Sequence, residues 1–237
     1  MAFFMLFHTQ FIKGEYLKMK TSERLYSKVK DIWESYNLHP FVQGIANGTL
    51  PIDKFQFYMI QDHLYLLQYA KVFALGLIKA EKESLMRTFS ALIHETLDTE
   101  NATHQAYLKQ LGITREMIDS AKMSLVNESY TNYMISVGFK DGLAEIAVAV
   151  LACSWSYKLI GEYVASVPNS KDNEFYRPWI DTYTSEEYIK ENDMTIDLVN
   201  SLTENYTEEQ LENLEKIIVN CSRYEYMFWD MAWNKEM

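Results

Sequence analysis

Leu151-Ala152-Cys153-Ser154-Trp155-Ser156-Tyr157-Lys158-Leu159-Ile160-Gly161-Glu162 continues an apolar run, Ile146-Ala147-Val148-Ala149-Val150, and the two together read as one helix too hydrophobic for a surface. Cys153, Tyr157 and Gly161 recur every four residues, so a thiol, a phenol and a position without a side chain share one helical face. That combination describes a pocket wall. A lone buried cysteine is most often a small hydrophobe, but this one shares its stripe with Tyr157 rather than with leucine or valine.

The composition around this helix favours an all-α fold. The 237-residue chain is 48% hydrophobic, enough for one sizeable core, and only 8 Gly and 4 Pro punctuate it. No Gly/Ser/Pro-rich linker divides it, so residues 19–237 read as a single domain and residues 1–18 as an N-terminal extension. The apolar opening from Met1 to Phe7 lacks the basic region and cleavage site of a secretory signal. No apolar segment is expected to reach the ~20 residues that span a bilayer. A net charge of −11 speaks against nucleic acid or an anionic membrane as partners, since phosphates would be repelled. Two cysteines, Cys153 and Cys221, make no disulfide framework and suit a reducing cytoplasm.

Outward from the central helix, periodicity predicts an amphipathic helix over Thr21–Tyr36 and a short one from Pro40 to Asn47-Gly48. A long helix follows from Pro51 to about Ala80, and another spans roughly 83–111, ending at Gly112. Thr114 caps a short piece, and a connection then holds Tyr130 and Tyr133. Asp141 is the expected N-cap of the central helix, which stops by Val167-Pro168-Asn169. Trp179 and Tyr183 lie four apart, while Thr184-x-x-Glu187 and Thr207-x-x-Gln210 read as capping boxes for the last two helices.

Two further faces carry an acid where a core would have none. Tyr58, Asp62, Tyr65 and Tyr69 share one stripe, and Cys221, Glu225, Phe228, Trp229 and Ala232 share another. With Tyr130, Tyr157 and Tyr183 they describe an aromatic pocket for a flat heterocycle. Burial would lift the Glu225 pKa toward neutrality and let it move protons, with Cys153 as nucleophile. A metal reading rests on Glu95, Glu100 and His104, but no Glu-x-x-His pair occurs, as a di-iron bundle needs, so no metal and no cofactor is expected.

These residues resemble the TenA family, aminopyrimidine aminohydrolases also called thiaminase II, within the haem-oxygenase-like superfamily. The likeness is carried by His39-Pro40-Phe41-Val42, Gly48-Thr49-Leu50-Pro51, Gln61-Asp62 with Tyr65-Leu66, Cys153-x-Trp155-x-Tyr157 with Ile160-Gly161, the Trp179–Tyr183 segment, and Tyr224-Glu225 with Phe228-Trp229-Asp230-Met231-Ala232. The set is in the family's order and covers roughly residues 20–235. The resemblance implies a single-domain haem-oxygenase-like bundle of about ten helices, a cytoplasmic homotetramer, and hydrolysis of 4-amino-5-aminomethyl-2-methylpyrimidine to the hydroxymethyl pyrimidine and ammonia in thiamin salvage, with cleavage of thiamin as a second activity. It implies Cys153 as the nucleophile, Glu225 as the proton shuttle and Asp62 as the partner of the pyrimidine's ring nitrogen and amino group. Tyr65, Tyr130, Tyr157, Tyr183 and Phe228 would surround the ring, with Tyr133 near enough in sequence to exchange roles with Tyr130. His63 and Lys158 depart from the family's pattern off the pocket face. Two rival readings stand beside this one: a metal-dependent oxidase or oxygenase on the same fold, and a regulatory protein that holds a pyrimidine without turning it over. Cys221, one turn before Glu225, is expected to be structural.

Overall fold

The central apolar run folds as α8, Leu143–Ser166, and most of its length is buried. The structure, a computed structural model, describes residues 19–237, without the side chains of residues 99–103; the extension at residues 1–18 lies outside the described residues. Among those described there are eleven α-helices and no strand. At 24 residues α8 is long and apolar enough to cross a membrane, which corrects the expectation that no segment reaches that length. Its apolar window is 67% buried by the helices around it, which marks a core helix. Ile146, Val148, Val150 and Leu151 are each at most 2% exposed, and burying each such side chain contributes about 1.5–3 kcal/mol.

Most of the remaining helices pack against α8. The first is α1, Thr21–Tyr36, followed by α2, Pro40–Ala46, which begins where the His39 ring accepts from the Phe41 amide at 3.1 Å. The long helix α3, Ile52–Lys79, carries the aromatic stripe with Asp62. The helix expected over 83–111 forms as α4, Glu83–His94, and α5, Glu100–Gln110, joined by a π turn at Glu95–Thr99. Gly112, at φ +67, ends it in the left-handed conformation that favours glycine. Beyond the π turn, His104 on α5 reaches Asp62 on α3.

Thr114 caps α6, Arg115–Ser120, as expected. The connection holding Tyr130 and Tyr133 is instead a full helix, α7, Leu125–Lys140, started by Ser124 accepting from the Asn127 amide. Its apolar period is broken because buried polar residues serve as struts: Asn127 Nδ2 donates to the Gln61 carbonyl at 2.7 Å, and Gln61 Nε2 donates to the Lys122 carbonyl at 2.9 Å. This network fixes α7 against α3 one residue from Asp62.

Two cap assignments shift by one. Asp141 closes α7, and Gly142 starts α8 with its amide on Glu145 Oε2 at 3.0 Å. Thr184 bonds back to the Ile180 carbonyl at the end of α9, Arg177–Tyr183, leaving Ser185 to cap α10, Glu186–Leu202. The Thr207 capping box forms as read and opens α11, Glu208–Asn234. Trp33 Nε1 donates to Ser222 Oγ at 2.8 Å, pinning α1 to the segment of α11 that carries Glu225.

Candidate functional site

Three helices bring Asp62 and Tyr65 (α3), Cys153 and Tyr157 (α8) and Tyr183 (α9) to the wall of one cavity of about 90 Å³. Tyr130 (α7) and Glu225 with Phe228 (α11) stand directly behind that wall. Cys153 belongs to both layers: half-buried, it lines the cavity, and it stands close enough to Glu225 to favour the carboxylate. Residues 62 and 153, remote along the chain, therefore line one cavity, and both act on Glu225 behind it.

Glu225 is 2% exposed, and burial pushes its pKa up to about 7, with the Asp62 charge adding to the rise and Tyr130 and Cys153 opposing it. The Tyr130 hydroxyl has no partner at hydrogen-bonding distance, so it acts on Glu225 through space, its ring held 5.4 Å from Tyr65 and 5.3 Å from Tyr224. Tyr133 cannot take this place: its hydroxyl accepts from Asn220 at 3.1 Å, and its ring packs on the outer side of Tyr224. Cys221 is fully buried, and burial followed by the Glu225 charge pushes its thiol well above the ordinary value. It is absent from the cavity wall.

Asp62 accepts from His104 Nε2 at 2.7 Å, with both side chains 9% exposed. His104 thus turns to an aspartate on the facing helix rather than to Glu95; the Glu100 side chain lies outside the described residues. Among the described residues no three His, Cys, Asp or Glu side chains gather as metal ligands. His104 lines the cavity and fixes the orientation of the Asp62 carboxyl.

The aromatic walls interlock. The Tyr58 and Tyr157 hydroxyls lie 3.3 Å apart, and Trp179 Nε1 donates to the former at 3.4 Å. Burial raises Tyr58, Tyr65 and Tyr157 well above the ordinary phenol value, so all three stay neutral donors. Tyr183 packs 4.9 Å from Tyr157 and 4.7 Å from Trp179. Gly161 makes this possible: a Cβ there would lie 2.7 Å from Tyr183 Cβ and 3.1 Å from its carbonyl oxygen. Gly161→Ala must push α9 off α8, and we expect it to lower unfolding stability by about 1–3 kcal/mol in urea titration; an unchanged midpoint would show that α9 is not seated on this glycine.

His104, Tyr58 and Trp179 complete the inner chamber and were not assigned to it from the sequence. The stripe spacing pointed to Tyr58, whereas nothing in the chain links residue 104 to residue 62 before the α3–α4 hairpin is known. Glu95, Thr96, Glu191, Asn192 and Thr195 also line the cavity.

The family model described as TENA/THI-4/PQQC matches residues 26–235. A Helicobacter pylori protein named aminopyrimidine aminohydrolase is 45% identical over 215 residues, 91% of this chain and 99% of that one. Among solved structures, a TenA homologue from P. horikoshii OT3 superposes with a TM-score of 0.85 at 29% identity, over 91% of this chain and 99% of its own. A domain of unknown function from Shewanella denitrificans OS217, described as having a heme oxygenase-like fold, superposes with a TM-score of 0.70 at 17% identity, over 90% and 91% of the two chains, a likeness of fold alone.

Proposed function

The chain belongs to the TENA/THI-4/PQQC family, and from that premise we propose that it is an aminopyrimidine aminohydrolase of thiamin salvage. It replaces the amine of 4-amino-5-aminomethyl-2-methylpyrimidine with a hydroxyl and releases ammonia. The observation that carries this reading is the position of Cys153, which lines an aromatic cavity together with Asp62 and stands near enough to the buried Glu225 carboxyl to act on it.

Asp62, oriented by His104, accepts from the ring's amino group and an adjoining protonated ring nitrogen, drawing electrons from the carbon to be attacked. Glu225 takes the thiol proton as Cys153 forms its bond to that carbon. The ring's electrons then expel the exocyclic amine, which leaves with the proton from Glu225. Water adds to the methylene left behind and gives Glu225 a proton. That proton returns to Cys153 as the carbon–sulfur bond breaks. The sum is one water consumed and one ammonia released, with Glu225 cycling between its two forms. A pKa of about 7 allows it to serve in both near neutrality.

Thiamin carries the same ring and is proposed as a second substrate, with a thiazole leaving in place of ammonia. Assembly as a homotetramer and a cytoplasmic location belong to the same proposal. Ammonia release from the aminomethyl pyrimidine, run beside thiamin disappearance, tests the activity. Turnover of the aminomethyl pyrimidine is expected, and tight binding of the ring with neither product formed would favour a regulatory protein instead.

A further inference from the structure

Helices α3 and α7 pack side by side and turn their buried faces inward, Asp62, Tyr65 and Tyr69 on the first, Tyr130 and Met134 on the second. The opposite face of the pair is uncovered. Leu67, Lys71 and Ile78 recur at helical spacing along α3, as do Leu125, Glu128, Asn132 and Phe139 along α7. The four apolar side chains among them are between 40% and 78% exposed. Four such residues on two adjacent helices form a patch, which single scattered exposures do not.

Contacts between the helices give the order along this face. Asn127 Nδ2 donates to the Gln61 carbonyl at 2.7 Å, and the Tyr65 ring lies 5.4 Å from Tyr130. Gly138 sits against Leu75, and Lys79 Nζ donates to the Asp141 carbonyl at 2.7 Å. The two helices therefore run parallel, and in this register the face reads Leu125, Glu128, Leu67, Lys71, then Ile78 with Phe139. That order is apolar, acid, apolar, base, apolar.

Glu128 and Lys71 stand roughly 6–8 Å to either side of Leu67. Turned end over end, the series matches itself with acid set on base, which is what a two-fold contact between identical surfaces requires. Lys71 donates to Gln68 Oε1 at 3.0 Å, and among the described residues neither it nor Glu128 forms an ion pair within its own chain.

We propose that this face binds a second copy of the chain about a two-fold axis at Leu67. Lys71 of each copy pairs with the partner's Glu128, and Leu125 packs on the partner's Ile78 and Phe139. The contact braces from behind the two helices that carry Asp62, Tyr65 and Tyr130. It rests on the assembly part of the proposed function and assigns that assembly one of its interfaces, independently of the chemistry in the cavity.

Sedimentation velocity of the full chain tests this. The wild type is expected to sediment as an assembly, and Phe139→Asp to halve its mass. Lys71→Glu should weaken association at least about tenfold by facing two carboxylates, and adding Glu128→Lys should recover the wild-type constant to within about threefold. Such recovery separates a contact between copies from a fold defect, because the two side chains do not pair within one chain. A monomeric wild type would overturn the assembly and the face together. An assembly that keeps its mass in Phe139→Asp, or a double variant that associates no more tightly than Lys71→Glu, would overturn the face alone. The aminopyrimidine reading is decided separately, by ammonia release.

Discussion

Cys153→Ser is expected to slow ammonia release by about 10³-fold or more, because a serine hydroxyl is a far weaker nucleophile toward the ring and a poorer group to expel afterwards. The substitution is nearly isosteric and Cys153 is only half-buried, so the cavity should survive and the ring's affinity should change by less than about threefold. Cys221→Ser is the control. That thiol is fully buried, held protonated by burial and by the Glu225 charge, and absent from the cavity wall. The serine at 221 should leave turnover within a few-fold of wild type. Steady-state kinetics of the two variants side by side decides between them, and loss of rate only in Cys221→Ser would move the chemistry to the other sulfur.

Glu225→Gln is expected to lower turnover by about 10²–10⁴-fold and to remove the acid limb of the pH–rate profile. Glu225 must be a carboxylate to take the thiol proton, so wild-type kcat/KM should climb with pH and level off above about 7. Stability moves the other way. A carboxyl whose pKa is higher in the native state binds a proton there that the unfolded chain has already lost, so native stability is fullest below the unfolded value. It falls as pH rises through about 7. For this fully buried group the loss is on the order of 3 kcal/mol. Glutamine does not titrate, so urea midpoints of Glu225→Gln should lack this decline. A wild-type profile flat from pH 5 to 8 would contradict the assignment of the proton shuttle.

Much of this architecture was legible because local chemistry and tertiary packing agree. The bounds of α1, the Thr207 capping box and the apolar continuity of α8 follow from residues that are neighbours in sequence, and the structure keeps them. Helix α7 was obscured because Asn127 and Thr131, polar by type, are buried to bond α3 and their own preceding turn. Thr184 and Asp141 were read as starting helices because they are good N-cap types, yet each is used to finish the helix before. The acids at 62 and 225 stood out as carboxylates in apolar stripes, and periodicity placed each on a buried face. Their approach to one cavity with Cys153 required the family pattern, since no local rule sets α3, α8 and α11 side by side. The pairing of His104 with Asp62 was beyond reach altogether: a π turn interrupts the returning helix, and only the folded hairpin shows which side chains it brings to α3.

The account depends above all on Cys153 facing the chamber in which an aminopyrimidine sits beside Asp62. Alkylation by iodoacetamide at limiting reagent, mapped by peptide mass spectrometry with and without saturating 4-amino-2,5-dimethylpyrimidine, tests that directly. The adduct should form on Cys153, leave Cys221 untouched, and be suppressed by the ring. Labelling of Cys221 first, or labelling of Cys153 at the same rate with the ring bound, would contradict it.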